Sequence, residues 1–200
     1  MKLLLSSNGF SNQEIAETFF ELVGKSPEDT SLVFVPTASN IEVGDKGWFI
    51  NDLININKQN FKSVAIADIS AVPKNVWLPQ FEEADALFFE GGDTYHLMSW
   101  VNKSGLIKLL PDMLKTKVYM GVSAGSMITG PDINLRQSKV IYGEDATEDF
   151  VPGLGLVDFY FLPHLNSPDF GARTEEALES ATGGVLQERP MPLTTIPLLR

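Results

Sequence analysis

The stretch Val118-Tyr-Met-Gly-Val-Ser-Ala-Gly-Ser-Met-Ile128 sets a short apolar run against a serine placed between Gly121 and Gly125, followed by residues that can open a helix. A run of this length, bounded by turn residues, reads as a strand buried on both faces. Similar runs recur over 3–5, 31–35, 63–67 and 86–89. Between them, residues 12–23, 47–58, 93–103 and 105–115 carry apolar side chains at helical spacing. The order is therefore strand, helix, strand, helix, which predicts an α/β fold with a mostly parallel sheet. In such sheets ligands bind beyond the carboxyl ends of the strands, where Pro36-Thr37, Glu90-Gly-Gly-Asp93 and Gly121 to Gly125 fall. Further strands are expected over 138–142 and 157–162, separated by an acidic, glycine-rich segment.

With 200 residues, 44% hydrophobic and 20% charged, the chain suits one globular domain spanning 1–200. Twenty-six acidic against 15 basic residues give a formal charge of −11, which argues against a nucleic-acid partner or an anionic membrane surface. No apolar run approaches the roughly 20 residues of a membrane span, and residues 1–7 read as a first strand rather than a secretory leader. A cytoplasmic location is the expectation. The absence of cysteine excludes disulfides, thiolate metal sites and a cysteine nucleophile.

Gly121 to Gly125 has the G-x-S-x-G form of a nucleophile elbow, a tight strand-to-helix turn that holds Ser123 exposed. The turn aims backbone N–H groups and the helix N-terminus at the space beside Ser123 Oγ, where an oxyanion would develop. Of two histidines, His96 sits in a helical pattern, whereas His164 follows an apolar run and Pro163 and is placed to act as general base. A carboxylate should hold the imidazole. Asp132, Glu144, Asp145, Glu148, Asp149 and Asp158 lie between serine and histidine; Glu144 leads and Asp145 is second, because both follow a strand and a glycine that turns the chain. Gly91 or Gly92 supplies a second oxyanion donor.

Taken together, "FFEGGDTYHL", "GVSAGS" and "LPH", in this order, resemble the peptidase E family of serine peptidases, which includes alpha-aspartyl dipeptidases and cyanophycinases. The resemblance covers roughly residues 2–178. It implies a three-layer α/β/α sandwich like that of class I glutamine amidotransferases, with serine in place of cysteine. It further implies that Ser123 attacks the scissile carbonyl, that His164 shuttles the proton, that an intervening acid orients His164, and that Gly92 and Ala124 bind the oxyanion. The implied substrate is a small peptide with N-terminal Asp, and no metal or organic cofactor is needed. Arg173 is the cation placed to meet the substrate carboxylate, with Arg136 the alternative. A homodimer is open. The competing readings are a catalytically silent binding or regulatory protein on the same fold and an esterase.

The tail from Gln187 to Arg200 departs from this pattern, since Pro190, Pro192 and Pro197 suit neither a helix nor a central strand. One choice of codons for residues 190–199, read from the third base, gives Tyr-Ala-Leu-Asp-Asp-Asn-Thr-Ala-Ile, which resembles the family's continuation. The expectation is a reading-frame shift near Arg189, decided by reading the encoding DNA.

Overall fold

A computed structural model of the chain describes residues 1–133, 143–144, 151–165 and 167. Five parallel strands form its sheet: β1 (Lys2–Ser6), β2 (Ser31–Val35), β3 (Ser63–Ile66), β4 (Ala86–Phe89) and β5 (Val118–Val122), in the order β1-β5-β4-β2-β3. The helices are α1 (Gln13–Val23), α2 (Thr37–Asn40), α3 (Gly47–Lys58), α4 (Lys74–Glu83), α5 (Thr94–Lys103), α6 (Leu110–Met113) and α7 (Ala124–Met127).

Strand alternation distributes the core into two layers. Leu32, Phe34, Ala86, Phe88, Val118 and Met120 pack with Ile15, Ala16 and Phe19 of α1 and Ile56 of α3. Val33, Val35, Leu87, Phe89 and Tyr119 face the other way, onto Trp77 and Phe81 of α4 and Leu97, Met98 and Val101 of α5. The expected three-layer sandwich is thereby formed, with the central strands β2, β4 and β5 buried on both faces.

The helix boundaries have local causes. Asn12 caps α1 by accepting the Ile15 N–H at 2.9 Å, and Gly24 closes it in the left-handed region at φ 77°. Asp93 caps α5 through the His96 N–H at 2.6 Å.

Four expectations are corrected. β3 is not buried on both faces: it is an edge among the described strands, and Val64 and Ile66 are exposed. The single helix over 105–115 is instead a 3-10 turn at Leu106–Lys108 and the short α6, because Pro111 has no N–H to continue a helix begun before it. The helix α4 was not anticipated, although Trp77 and Phe81 stand one turn apart on its buried side. Residues 157–162 form no strand, for their polar groups are engaged elsewhere: the Leu156 and Val157 N–H groups donate to Thr129 O, and Tyr160 Oη to Asp132. The pairing in this region is instead between β6 (Asp132–Ile133) and β7 (Val151–Pro152), which are antiparallel. The strand expected over 138–142 and the tail 187–200 lie outside the described residues.

None of the described helices is long and apolar enough to cross a membrane.

Phe19 is fully buried and meets Phe10 and Phe61 edge-on with ring centroids 5.1 and 5.8 Å away. Phe19→Ala is expected to lower the stability by about 3–5 kcal/mol, read as an earlier urea midpoint.

Candidate active site

The site stands at the carboxyl rim of the sheet, where the segments following β1, β4 and β5 meet. Ser123 is the hinge between β5 and α7, with φ 48° and ψ −109°. This backbone conformation is rare for a residue with a Cβ and costs on the order of 1–3 kcal/mol. The surrounding hydrogen bonds hold it there. The Ser123 N–H donates to Ser6 O at 2.9 Å, and its carbonyl accepts from the Ser126 and Met127 N–H groups.

Ser126, fully buried, fastens the turn from beneath. Its Oγ lies 2.7 Å from Gly121 O and 3.0 Å from Ser6 O, and it accepts the Ser6 N–H at 3.1 Å. Tyr119 Oη donates to Gly125 O at 2.6 Å. Gly125 itself is required by packing: a Cβ there would lie 2.1 Å from Phe89 O.

His164 arrives from a separate part of the chain. Residues 154–157 are stitched to the end of the segment that begins at Ser123, through Leu154 N–H to Ile128 O, Gly155 N–H to Gly130 O, and Leu156 and Val157 N–H to Thr129 O. From that anchor the chain reaches His164, whose N–H donates to Ser7 Oγ at 2.9 Å. His164 also has a positive φ, 66°. Its Nε2 lies 2.9 Å from Ser123 Oγ. A serine hydroxyl and an imidazole at this separation form a nucleophile and base pair, provided the ring proton sits on Nδ1. Both members of the dyad thus occupy positive-φ backbone conformations, Ser123 tied to the last residue of β1 and His164 to the residue after it.

The turn Gly91-Gly92 closes another side. A Cβ on Gly91 would stand 3.2 Å from Ser123 Cβ, which measures how closely this turn approaches the serine. Gly92 has φ 129°, and a Cβ there would lie 2.4 Å from the backbone of Ala38 in α2. The N–H groups of Gly92 and Ala124 are engaged by no hydrogen bond among the described residues. They are therefore available to a developing oxyanion at the same rim.

Glu144 is brought to the start of α5. Its Oε1 accepts the Thr94 N–H and Thr94 Oγ1, each at 3.0 Å, and its Oε2 is buried. A carboxylate at the first turn of a ten-residue helix is favoured by the helix dipole and the free N–H groups. Arg173, Arg136 and Asp145 lie outside the described residues. His96 is on α5, with its ring centroid 6.4 Å from that of Trp100, away from the dyad pairing.

Sequence reasoning missed Ser7, Ser126, Thr94 and Tyr119. Ser126 carried a readable signal, being the residue after the G-x-S-x-G run. Ser7 and Thr94 carried none, since their partners lie 157 and 50 residues away. A surface depression of about 620 Å³ is lined by α1 and residues 24–27 and 59 and lies apart from this site.

The sequence matches Peptidase family S51 over residues 3–188, a match that ends just before Pro190. An uncharacterized peptidase of Pasteurella multocida (strain Pm70) is 25% identical over 182 residues, covering 90% of this chain and 85% of its own. A peptidase E of Streptomyces coelicolor is 31% identical over 118 residues, 58% of this chain and 47% of its own. Among solved structures, a candidate peptidase E protein from Listeria monocytogenes EGD-e superposes with a TM-score of 0.76 at 26% identity, covering 90% of this chain and 87% of that one.

Replacing Ser126 by Ala removes the oxygen that accepts the buried Ser6 N–H and the hydroxyl 2.7 Å from Gly121 O, which keeps the Ser6 hydroxyl at 3.2 Å. The expected cost is about 1–3 kcal/mol in chemical denaturation, together with a lower reactivity of Ser123 toward a fluorophosphonate probe.

Proposed function

The chain belongs to peptidase family S51, and on that premise we propose that it is a serine-type dipeptidase that cleaves small peptides with N-terminal Asp through an acyl-enzyme on Ser123. The observation that carries this reading is the 2.9 Å separation of Ser123 Oγ and His164 Nε2 on two strained backbones.

In the proposed reaction the Ser123 Oγ–H proton passes to His164 Nε2 as Oγ bonds to the scissile carbonyl carbon. The carbonyl oxygen becomes an oxyanion facing the Gly92 and Ala124 N–H groups. His164 Nε2 then gives the proton to the leaving amine, the C–N bond breaks, and an ester on Ser123 remains. Water attacks the ester with His164 again as base, and the released acid leaves Ser123 protonated.

Glu144 is the proposed acid that stabilises the imidazolium. It is anchored through Oε1 on Thr94, and its Oε2 is the atom that would serve His164. Arg173 is the proposed cation for the Asp side chain of the substrate, its guanidinium suited to a two-point carboxylate contact. A cytoplasmic setting is in keeping with a dipeptide substrate.

The test is hydrolysis of Asp-p-nitroanilide and Asp-Leu by the purified chain, with Leu-p-nitroanilide as the comparison. Ser123→Ala is expected to lower kcat about 10³-fold or more. Equal rates from the wild type and Ser123→Ala would overturn the mechanism, and equal rates on Asp and Leu substrates would overturn the specificity. Glu144→Gln should reduce kcat by up to about 10⁴-fold if it orients His164; an unchanged kcat would assign it to anchoring α5 alone.

A further inference from the structure

Beneath the site lies an acidic side chain that the reaction above does not use. Glu90 follows β4 directly and precedes Gly91-Gly92, and it is completely inaccessible to solvent. Strand alternation puts it on the face of Ala86 and Phe88, toward α1 and α3. There it meets Asp52, which projects from α3 among Phe49, Leu53 and Ile56. Asp52 in turn lies against the loop after β1: its Oδ1 would be 3.0 Å from a Cβ on Gly9, and Phe88 Cζ stands at the same distance.

Among the described residues, no ion pair involves either carboxylate. Among the described residues Asp52 is the ionisable group that acts on Glu90. The flanking segments, residues 35–37 after β2, 121–123 of β5 and 7–10 after β1, contain no ionisable side chain. On α1, Ile15 and Phe19 face inward, while Glu14 and Glu17 are exposed. A fully buried carboxylate beside a half-buried one resists ionising together with it when no compensating charge is at hand.

We propose that Asp52 and Glu90 hold one proton between them and act as positioning residues, clamping the loop after β1 to the Gly91-Gly92 turn. The two ends of the clamp are the two walls of the site. Ser7 in the first loop takes the His164 N–H, and Gly91 in the second lies against Ser123. Burial, reinforced by the neighbouring Asp52 charge, pushes the Glu90 carboxyl well above its ordinary value of 4.5. Burial also raises Asp52, with the Glu90 and Gly9 hydrogen-bonding groups drawing it partly back. A raised folded pKa means that between 4.5 and that pKa the folded chain holds more protons than the unfolded one. Stability from this group is therefore full below the unfolded value and declines as pH rises toward the folded one. Above that point both carboxyls are charged, and their repulsion pushes the two walls apart.

This proposal rests on the site reading but is tested without turnover. The chain has two histidines, so nitrogen-15 resonances of His164 can be assigned with His96→Asn and followed with pH in the folded protein. The wild type is expected to show, besides the imidazole titration, a second inflection above 4.5, the ordinary value of a glutamate. In Glu90→Gln, which mimics the protonated acid, that inflection should vanish, and the infrared carbonyl band of a protonated buried carboxyl should vanish with it. In Asp52→Asn, which removes one of the two causes, the inflection should move to lower pH. A wild-type titration superposing on those of both variants would overturn the proposal, as would the absence of a protonated-carboxyl band at neutral pH. If Glu90→Gln does not fold, the direction of the Asp52→Asn shift decides alone: movement to lower pH supports the clamp, and none overturns it. A chain silent toward every peptide would sink the peptidase reading and leave these outcomes intact.

Discussion

Gly125 lies so close to the Phe89 carbonyl that no side chain could stand between them, and this contact seats α7 on the carboxyl ends of β4 and β5. Much of the site depends on that seating. With α7 pressed onto the sheet, the chain must reverse within Ser123, which drives its φ to 48°. The same approach brings Gly91 of the β4 turn beside Ser123 Cβ. A longer turn would relax the backbone and also withdraw the hydroxyl from the surrounding N–H groups.

Holding a strained residue requires that its neighbours over-determine it. Ser6, Gly121, Ser126 and Tyr119 do so for the serine through short, mostly buried hydrogen bonds. The histidine is held by a different route, through residues 154–157 on the segment that begins at Ser123 and through Ser7 on the loop after β1. Because the end of β1 supports Ser123 through Ser6 and the next residue supports His164 through Ser7, the dyad is referenced to a single piece of backbone. Such preorganisation is what a reaction requiring sub-ångström alignment demands.

The electrostatic setting is one of carboxylates. Glu144 is offset by the N-terminus of α5, and Asp68 by hydrogen bonds from Thr37, Asn40 and Ser70, which together outweigh its burial and hold it below the usual range. Glu90 has neither kind of offset. An apolar residue would fill that position at lower cost, and the position is the one that connects β4 to the turn against Ser123.

The alternation of short apolar runs with helical patterns determined the α/β class, the five parallel strands and the location of the site, because the periods of 2 and 3.6 are local properties of sequence. G-x-S-x-G likewise announced the turn at Ser123, since a tight turn leaves a local mark; His164, expected at a strand end, instead follows an irregular segment and reaches Ser123 by packing. Tertiary structure alone decided the rest. Residues 157–162 have the composition of a strand but are claimed by Thr129 and Asp132. Glu144 was legible as a loop acid, yet its bond to Thr94 depends on two segments meeting 50 residues apart. Ser7 and Asp52 carried no signal, and Glu90 was legible only as part of a rim turn, for their roles arise only when β1, α3 and β4 converge. A local pattern records how a segment folds; which distant polar groups it will face is settled by packing, which brings them together or leaves them apart.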